Sequence, residues 1–145
     1  MTLILDANVV GKLFLNEDDR ATARDFIAHL AQSRRQCFAP SILAFEVYGI
    51  AIHYGIEVSL PRQTLDRLTR SILTLIEPDG DLWARAYQIA QSGHPKSGFP
   101  SLADSLYHAL AVDVGGTFVT ADKRHLAKTK SIGHAVHLQD WRSAI

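Results

Sequence analysis

Four acidic side chains stand where a carboxylate is expensive. Asp6 ends the apolar run Leu3-Ile4-Leu5, and Asn8 follows two residues later. Glu46 sits in SILAFEVYGIAIHYG, flanked at helical spacing by Ile42 and Ile50. Asp104 falls in the first turn of PSLADSLYHALAV, and Asp122 comes two residues after Thr120 at the end of TFVT. Taken singly, each has a structural account: an Asx turn for Asp6, a helix cap for Asp104 and Asp122, a buried arginine beside Glu46. Taken together they pose a charge problem. At an effective dielectric of about 20, two carboxylates roughly 4 Å apart repel by about 4 kcal/mol. Four that converge are tenable only if some keep their protons or a cation sits among them.

Oxygen-only donors suit Mg²⁺ or Mn²⁺, and the sequence offers no Cys/His cluster for zinc. His134 and His137 fall in a strand pattern that sends them to opposite faces, one to the surface and one to packing. The other acids cluster as Glu17, Asp18, Asp19 and as Glu77, Asp79, Asp81 at turns and helix starts, where capping and solvation account for them.

The elements that must position the four acids follow from periodicity. Short apolar runs predict strands at Leu3–Leu5, Cys37–Ala39, Ile72–Ile76, Thr117–Thr120 and Ala135–Leu138. Helical spacing predicts helices over Asn8–Leu15, Asp18–Gln32, Ser41–Tyr54, Pro61–Ser71, Asp79–Ser92 and Ser101–Val114, with a short one over Lys123–Lys128. Strands alternating with helices predict an α/β sandwich: a central, mainly parallel sheet of about five strands with helices on both faces. In such sheets ligands bind beyond the carboxyl ends of the strands, which sends Asp6 and Asp122 to one edge. SGHPKSGFP, Ser92 to Pro100, reads as a surface loop.

The 145 residues, 47% of them hydrophobic, fit one domain over residues 1–145. The lone Cys37 excludes an intramolecular disulfide, and neither a signal peptide nor a bilayer-spanning run is present, so a cytoplasmic location is expected. Fifteen basic residues balance fifteen acidic ones, which rules out a global field for nucleic acid or membrane. A polyanion must be held locally. KRHLAKTK, directly after Asp122, supplies Lys123, Arg124, Lys128 and Lys130 for that purpose, with Lys96 a weaker candidate. Arg34 and Arg35 sit at a predicted helix end, where they complement the dipole.

The ordered set of Asp6 with Asn8, Glu46, Asp104 and then Thr120-Ala121-Asp122 resembles the PIN-domain ribonucleases, and the length is similar to the VapC-type toxins of toxin–antitoxin pairs. The resemblance implies a Mg²⁺- or Mn²⁺-dependent endoribonuclease. Asp6, Asp104 and Asp122 would be metal ligands, Glu46 would act mainly through water, and Asn8 and Thr120 would orient carboxylates from behind. It also implies an RNA substrate, a homodimer and a cognate antitoxin whose tail occupies the acidic groove. Tyr48, Tyr54, Trp83 and Phe99 are candidates for partner contacts, against a core role for large aromatics. Two other readings stay open. Asp6-x-Asn8 is similar to the D-x-D of haloacid dehalogenase phosphatases, with Asp6 as the phosphoryl acceptor, and the same fold could hold a structural ion in a non-catalytic regulatory module.

Overall fold

A computed structural model describes residues 1–145. Five strands, β1 (Leu3–Leu5), β2 (Cys37–Pro40), β3 (Leu73–Ile76), β4 (Thr117–Thr120) and β5 (Ala135–His137), form one sheet in the order β3-β2-β1-β4-β5. Every pairing is parallel. This is why the strands read as unbroken apolar runs: both faces are covered, and Leu3, Ile4 and Leu5 are all buried. With β1 in the centre, the chain crosses outward to β2 and β3 on one side and to β4 and β5 on the other. The switch point therefore falls at the carboxyl end of β1, where Asp6 stands.

The helices are α1 (Ala7–Gly11), α2 (Arg20–Gln32), α3 (Ile42–His53), α4 (Ser59–Ser71), α5 (Gly80–Gln91), α6 (Leu102–Asp113) and α7 (Lys123–Lys128). α6 is the most deeply embedded, with every residue from Ser105 to Ala111 buried. Tyr107 stacks on Phe118 of β4 at 5.7 Å between centroids. His108 of α6 and His125 of α7 are also buried, with His108 Nδ1 and His125 Nε2 at 2.9 Å, and His108 Nε2 donates to the Gly133 carbonyl at 2.6 Å. β4 runs close beside the start of β1. A Cβ on Gly116 would lie 2.3 Å from the Thr2 carbonyl oxygen, so only glycine fits there.

Three boundaries differ from the periodicity for identifiable reasons. The first helix stops at Gly11 rather than Leu15, because the backbone tightens into i→i−3 turns, Leu13 N–H to Val10 O at 3.0 Å and Phe14 N–H to Gly11 O at 3.1 Å, while the Lys12 ammonium meets Glu17 at 3.1 Å and Asp19 at 2.9 Å. α4 starts at Ser59, two residues before Pro61, because the Glu57 carboxylate accepts from the Ser59 N–H at 3.0 Å. β5 ends at His137, whose Nδ1 accepts from the Gln139 N–H at 3.1 Å and caps a 3₁₀ helix over Leu138–Ala144 that the sequence pattern missed. That helix docks on α2 through Trp141, 5.3 Å from Phe26. His134 precedes β5 and bonds the Gly116 carbonyl at 2.9 Å, at the far end of the strands, whereas His137 pairs with Thr120 at the carboxyl edge, where its Nδ1 is taken by the Gln139 N–H. No helix is long and apolar enough to cross a membrane.

Candidate active site

Asp6 is 3% exposed and sits between β1 and α1 with extended backbone. Its location follows from the strand: three buried apolar residues carry the chain to the sheet's edge, and the next side chain faces the opening. Thr120, at the end of the adjacent β4, donates its hydroxyl to Asp6 Oδ2 at 2.6 Å. Asn8 braces the same threonine. Its Nδ2 donates to Thr120 Oγ1 at 3.3 Å while its Oδ1 accepts from the Ala121 N–H at 3.2 Å. The Asp122 N–H donates to Thr120 Oγ1 as well, at 3.0 Å. Asn8 and Thr120 thus form a tie across 112 residues of chain that orients the Asp6 carboxylate and the backbone entering Asp122.

The remaining acids arrive from helices. Glu46 on α3 is half-buried, and its partner is not an arginine. The Tyr107 hydroxyl of α6 donates to Glu46 Oε1 at 2.5 Å. Burial and the nearby Glu46 push the Tyr107 hydroxyl's own pKa up, so it stays a donor. Asp104 opens α6, where its N–H donates to the Ser101 hydroxyl oxygen at 3.1 Å, as a Ser-capped helix start requires. Asp122 caps α7, its Oδ1 accepting from Arg124 N–H at 2.9 Å and His125 N–H at 3.1 Å. The capping account of Asp122 therefore holds. It does not exclude a second role, because the Asp122 charge also reaches Asp104.

Asp6, Asn8, Glu46 and Asp104 line one open cleft of about 460 Å³, together with Gly49, Ile50 and His53 of α3 and Tyr54 just past its end. Its electrostatics are unfavourable as built. Burial raises Asp6 to about 8, assisted by the charges of Asp104 and Glu46, while the Thr120 hydroxyl works the other way. Glu46 is raised by burial and then by Asp104, against the Tyr107 bond. Asp104 is raised by burial and by Asp122, with the Ser101 hydroxyl and Lys128 opposing. Three carboxylates that resist ionisation in a shared opening form an arrangement that a cation placed among them would relieve. The donor set is all oxygen, which fits a hard divalent ion. No group of three or more acid, histidine or cysteine side chains stands close enough to hold a metal ion by itself, so an ion here would have to draw most of its oxygens from water, as Mg²⁺ tolerates.

The basic candidates divide. Lys123 and Arg124 are exposed on α7, and Lys128, half-buried, places its charge within reach of Asp104. Lys130 and Lys96 are exposed. Arg35 is committed elsewhere, donating to the Met1 carbonyl at 2.5 Å. Sequence reasoning missed Tyr107, read only as part of an apolar helix, and missed His53 as a cleft residue.

Removing the Tyr107 hydroxyl strips Glu46 of its donor. Tyr107→Phe is expected to destabilise the protein by about 1–2 kcal/mol at neutral pH. It should do so less in acid, where Glu46 keeps its proton. Thermal denaturation at two pH values checks this, and a loss equal at both would remove Glu46 from the explanation.

Comparison with known proteins bears on the fold and the family. None of the curated proteins compared matches the sequence significantly. Among solved structures, a chain of the crystal structure of VapBC2 from Rickettsia felis bound to a DNA fragment from their promoter is similar in fold, with a TM-score of 0.68 at 17% identity. The likeness covers 94% of this chain and 97% of that one. The sequence model of the PIN domain matches residues 3–131. The chain belongs to the PIN-domain family.

Proposed function

We propose that this PIN domain, a family whose members are generally nucleases, is a Mg²⁺- or Mn²⁺-dependent endoribonuclease. In this reading residues 1–145 work as one domain in the cytoplasm, as the VapC-type toxin of a toxin–antitoxin pair and as a homodimer. The observation that carries the nuclease reading is the meeting of Asp6, Glu46 and Asp104 in one cleft, with Asp6 held near 8. The toxin role rests on the fold shared with VapBC2 and on the length of the chain.

Asp6, Asp104 and Asp122 are the residues that would hold the ion, with Glu46 acting through water. When bound, the ion supplies charge to the scissile phosphate and acidifies a water. The chain's own contribution is positional. Thr120 and Asn8 fix the Asp6 carboxylate, Tyr107 fixes Glu46, and a carboxylate left without a direct ion contact is placed to take the water's proton. Lys123, Arg124 and Lys128 offset the phosphates on the Asp122 side. A phosphoryl-accepting role for Asp6 fits less well. The second acid of that mechanism is replaced by Asn8, whose amide is spent on Thr120 and Ala121.

The test is incubation of the full chain with mixed RNA in EDTA, Mg²⁺ or Mn²⁺, beside Asp104→Asn. Cleavage that needs both the ion and Asp104 is the expected result. Cleavage in EDTA, or by Asp104→Asn at the parent's rate, overturns the assignment.

A further inference from the structure

One wall of the cleft has no part in this scheme. Past Glu46, α3 continues along the opening with Gly49 and His53, and the chain leaves the helix at Tyr54. The His53 and Tyr54 rings meet edge to face, 4.9 Å between centroids at 89°, and Tyr54 is 57% exposed. An exposed aromatic on a mobile tail would mean little, but this one stands on fixed backbone. Gly55, at φ +66°, ends the helix, its N–H donating to Ile52 O at 3.1 Å while Ile56 N–H donates to Ala51 O at 2.9 Å. Those two bonds are a Schellman closure, which leaves the backbone at Tyr54 one conformation.

Gly49 supplies the second observation. It lies inside α3, where glycine costs about 0.5–1 kcal/mol relative to alanine. A Cβ there would meet nothing within 4 Å, so packing does not demand a glycine. What the missing side chain preserves is free space in the cleft, between the carboxylates on one side and the two rings on the other.

We propose, building on the ribonuclease reading, that His53 and Tyr54 form a stacking subsite for an unpaired nucleobase, with Gly49 leaving room for the ribose–phosphate chain. Unpaired RNA bases splay from the strand and stack on aromatic side chains, a contact that tolerates many sequences. Glu46 and His53 are seven residues apart, about 10 Å along the helix axis. That span places the base within a nucleotide or two of a phosphate held at the acids. Tyr54 is a positioning and specificity residue here, acting on the substrate strand and not on the bond being cut.

The experiment measures cleavage by the full chain in Mn²⁺ with protein in excess over a short fluorescein-labelled single-stranded RNA. The same RNA is also made with one abasic residue at each successive position. Tyr54→Ala is expected to raise the half-saturating protein concentration about fivefold or more, and Tyr54→Phe to retain the parent value. One abasic position should cost the parent as much as Tyr54→Ala does, and the two changes together should cost no more than either alone. Gly49→Ala should melt higher yet bind the RNA more weakly, a pairing of signs that a structural role does not produce. Equal values for Tyr54→Ala and the parent, or losses that add at every abasic position, overturn the subsite while leaving the nuclease intact. A parent that cuts no RNA with either ion overturns the nuclease reading, and the subsite with it.

Discussion

Asp6→Asn is expected to lose about a thousandfold or more of metal-dependent RNA cleavage and, at alkaline pH, to be more stable than the parent. The two effects have one cause. The Asp6 carboxylate is held out of water at an energetic cost that the proposed cation would offset, and the substitution removes the charge while keeping the shape. Asparagine still offers an oxygen to the Thr120 hydroxyl, so the tie between β1 and β4 survives. A ligand that is needed only when the ion is present is a liability when it is not. Cleavage rates and melting temperatures near pH 8 check the pair. A variant that cuts like the parent, or that melts lower, would show Asp6 to be structural.

The metal-free protein is expected to lose stability as pH rises above neutrality, and a divalent ion to abolish that loss. Asp6 titrates near 8 in the folded state against an ordinary 3.8. Between those values the folded chain keeps a proton that the unfolded chain has released, so stability falls with rising pH across the window. A shift of that size corresponds to about 6 kcal/mol once the pH passes the folded value, of which about 1 kcal/mol is lost in the last pH unit below it. Glu46 and Asp104 shift the same way, so each also gives up stability as the pH rises through its own folded value. The buried histidines act oppositely. Burial lowers His108 and His125 from 6.5 to about 4, so their contribution is present above the unfolded value and is lost as pH falls toward the folded one. The metal-free optimum therefore lies near neutrality. Melting curves of parent and Asp6→Asn from pH 5 to 9, with and without Mn²⁺, test this. An alkaline fall that persists in Asp6→Asn would assign it to other groups.

The sheet was legible because each strand is a short apolar run with turns on either side, and Asp6 and Asp122 were legible because strand ends in such sheets face one edge. Parallel pairing throughout follows from the same alternation of strands and helices. The partner of Glu46 was not legible. Tyr107 lies 61 residues away in a stretch whose spacing advertises only burial, and nothing local marks its hydroxyl as aimed at an acid. The 3₁₀ helix at Leu138–Ala144 was missed for a related reason, since it is short and owes its place to Trp141 docking on Phe26. Asp122 was readable both as a cap and as a site residue; its contacts to Arg124 and His125 make it a cap, and it does not line the cleft that Asp6, Glu46 and Asp104 share.

The contact between His108 and His125 bears on how the cleft keeps its dimensions. A carbonyl can only accept, so the Gly133 oxygen assigns a proton to His108 Nε2 and leaves Nδ1 bare. His125 must then present its proton on Nε2, and its Nδ1 is left bare as well, buried and without a partner. Two protons thus have a single arrangement, and that arrangement bolts the helix that carries Asp104 in its first turn to the helix that Asp122 caps. The fastening is a pair of uncharged rings, and a third proton finds only the partnerless His125 Nδ1, where burial opposes its charge.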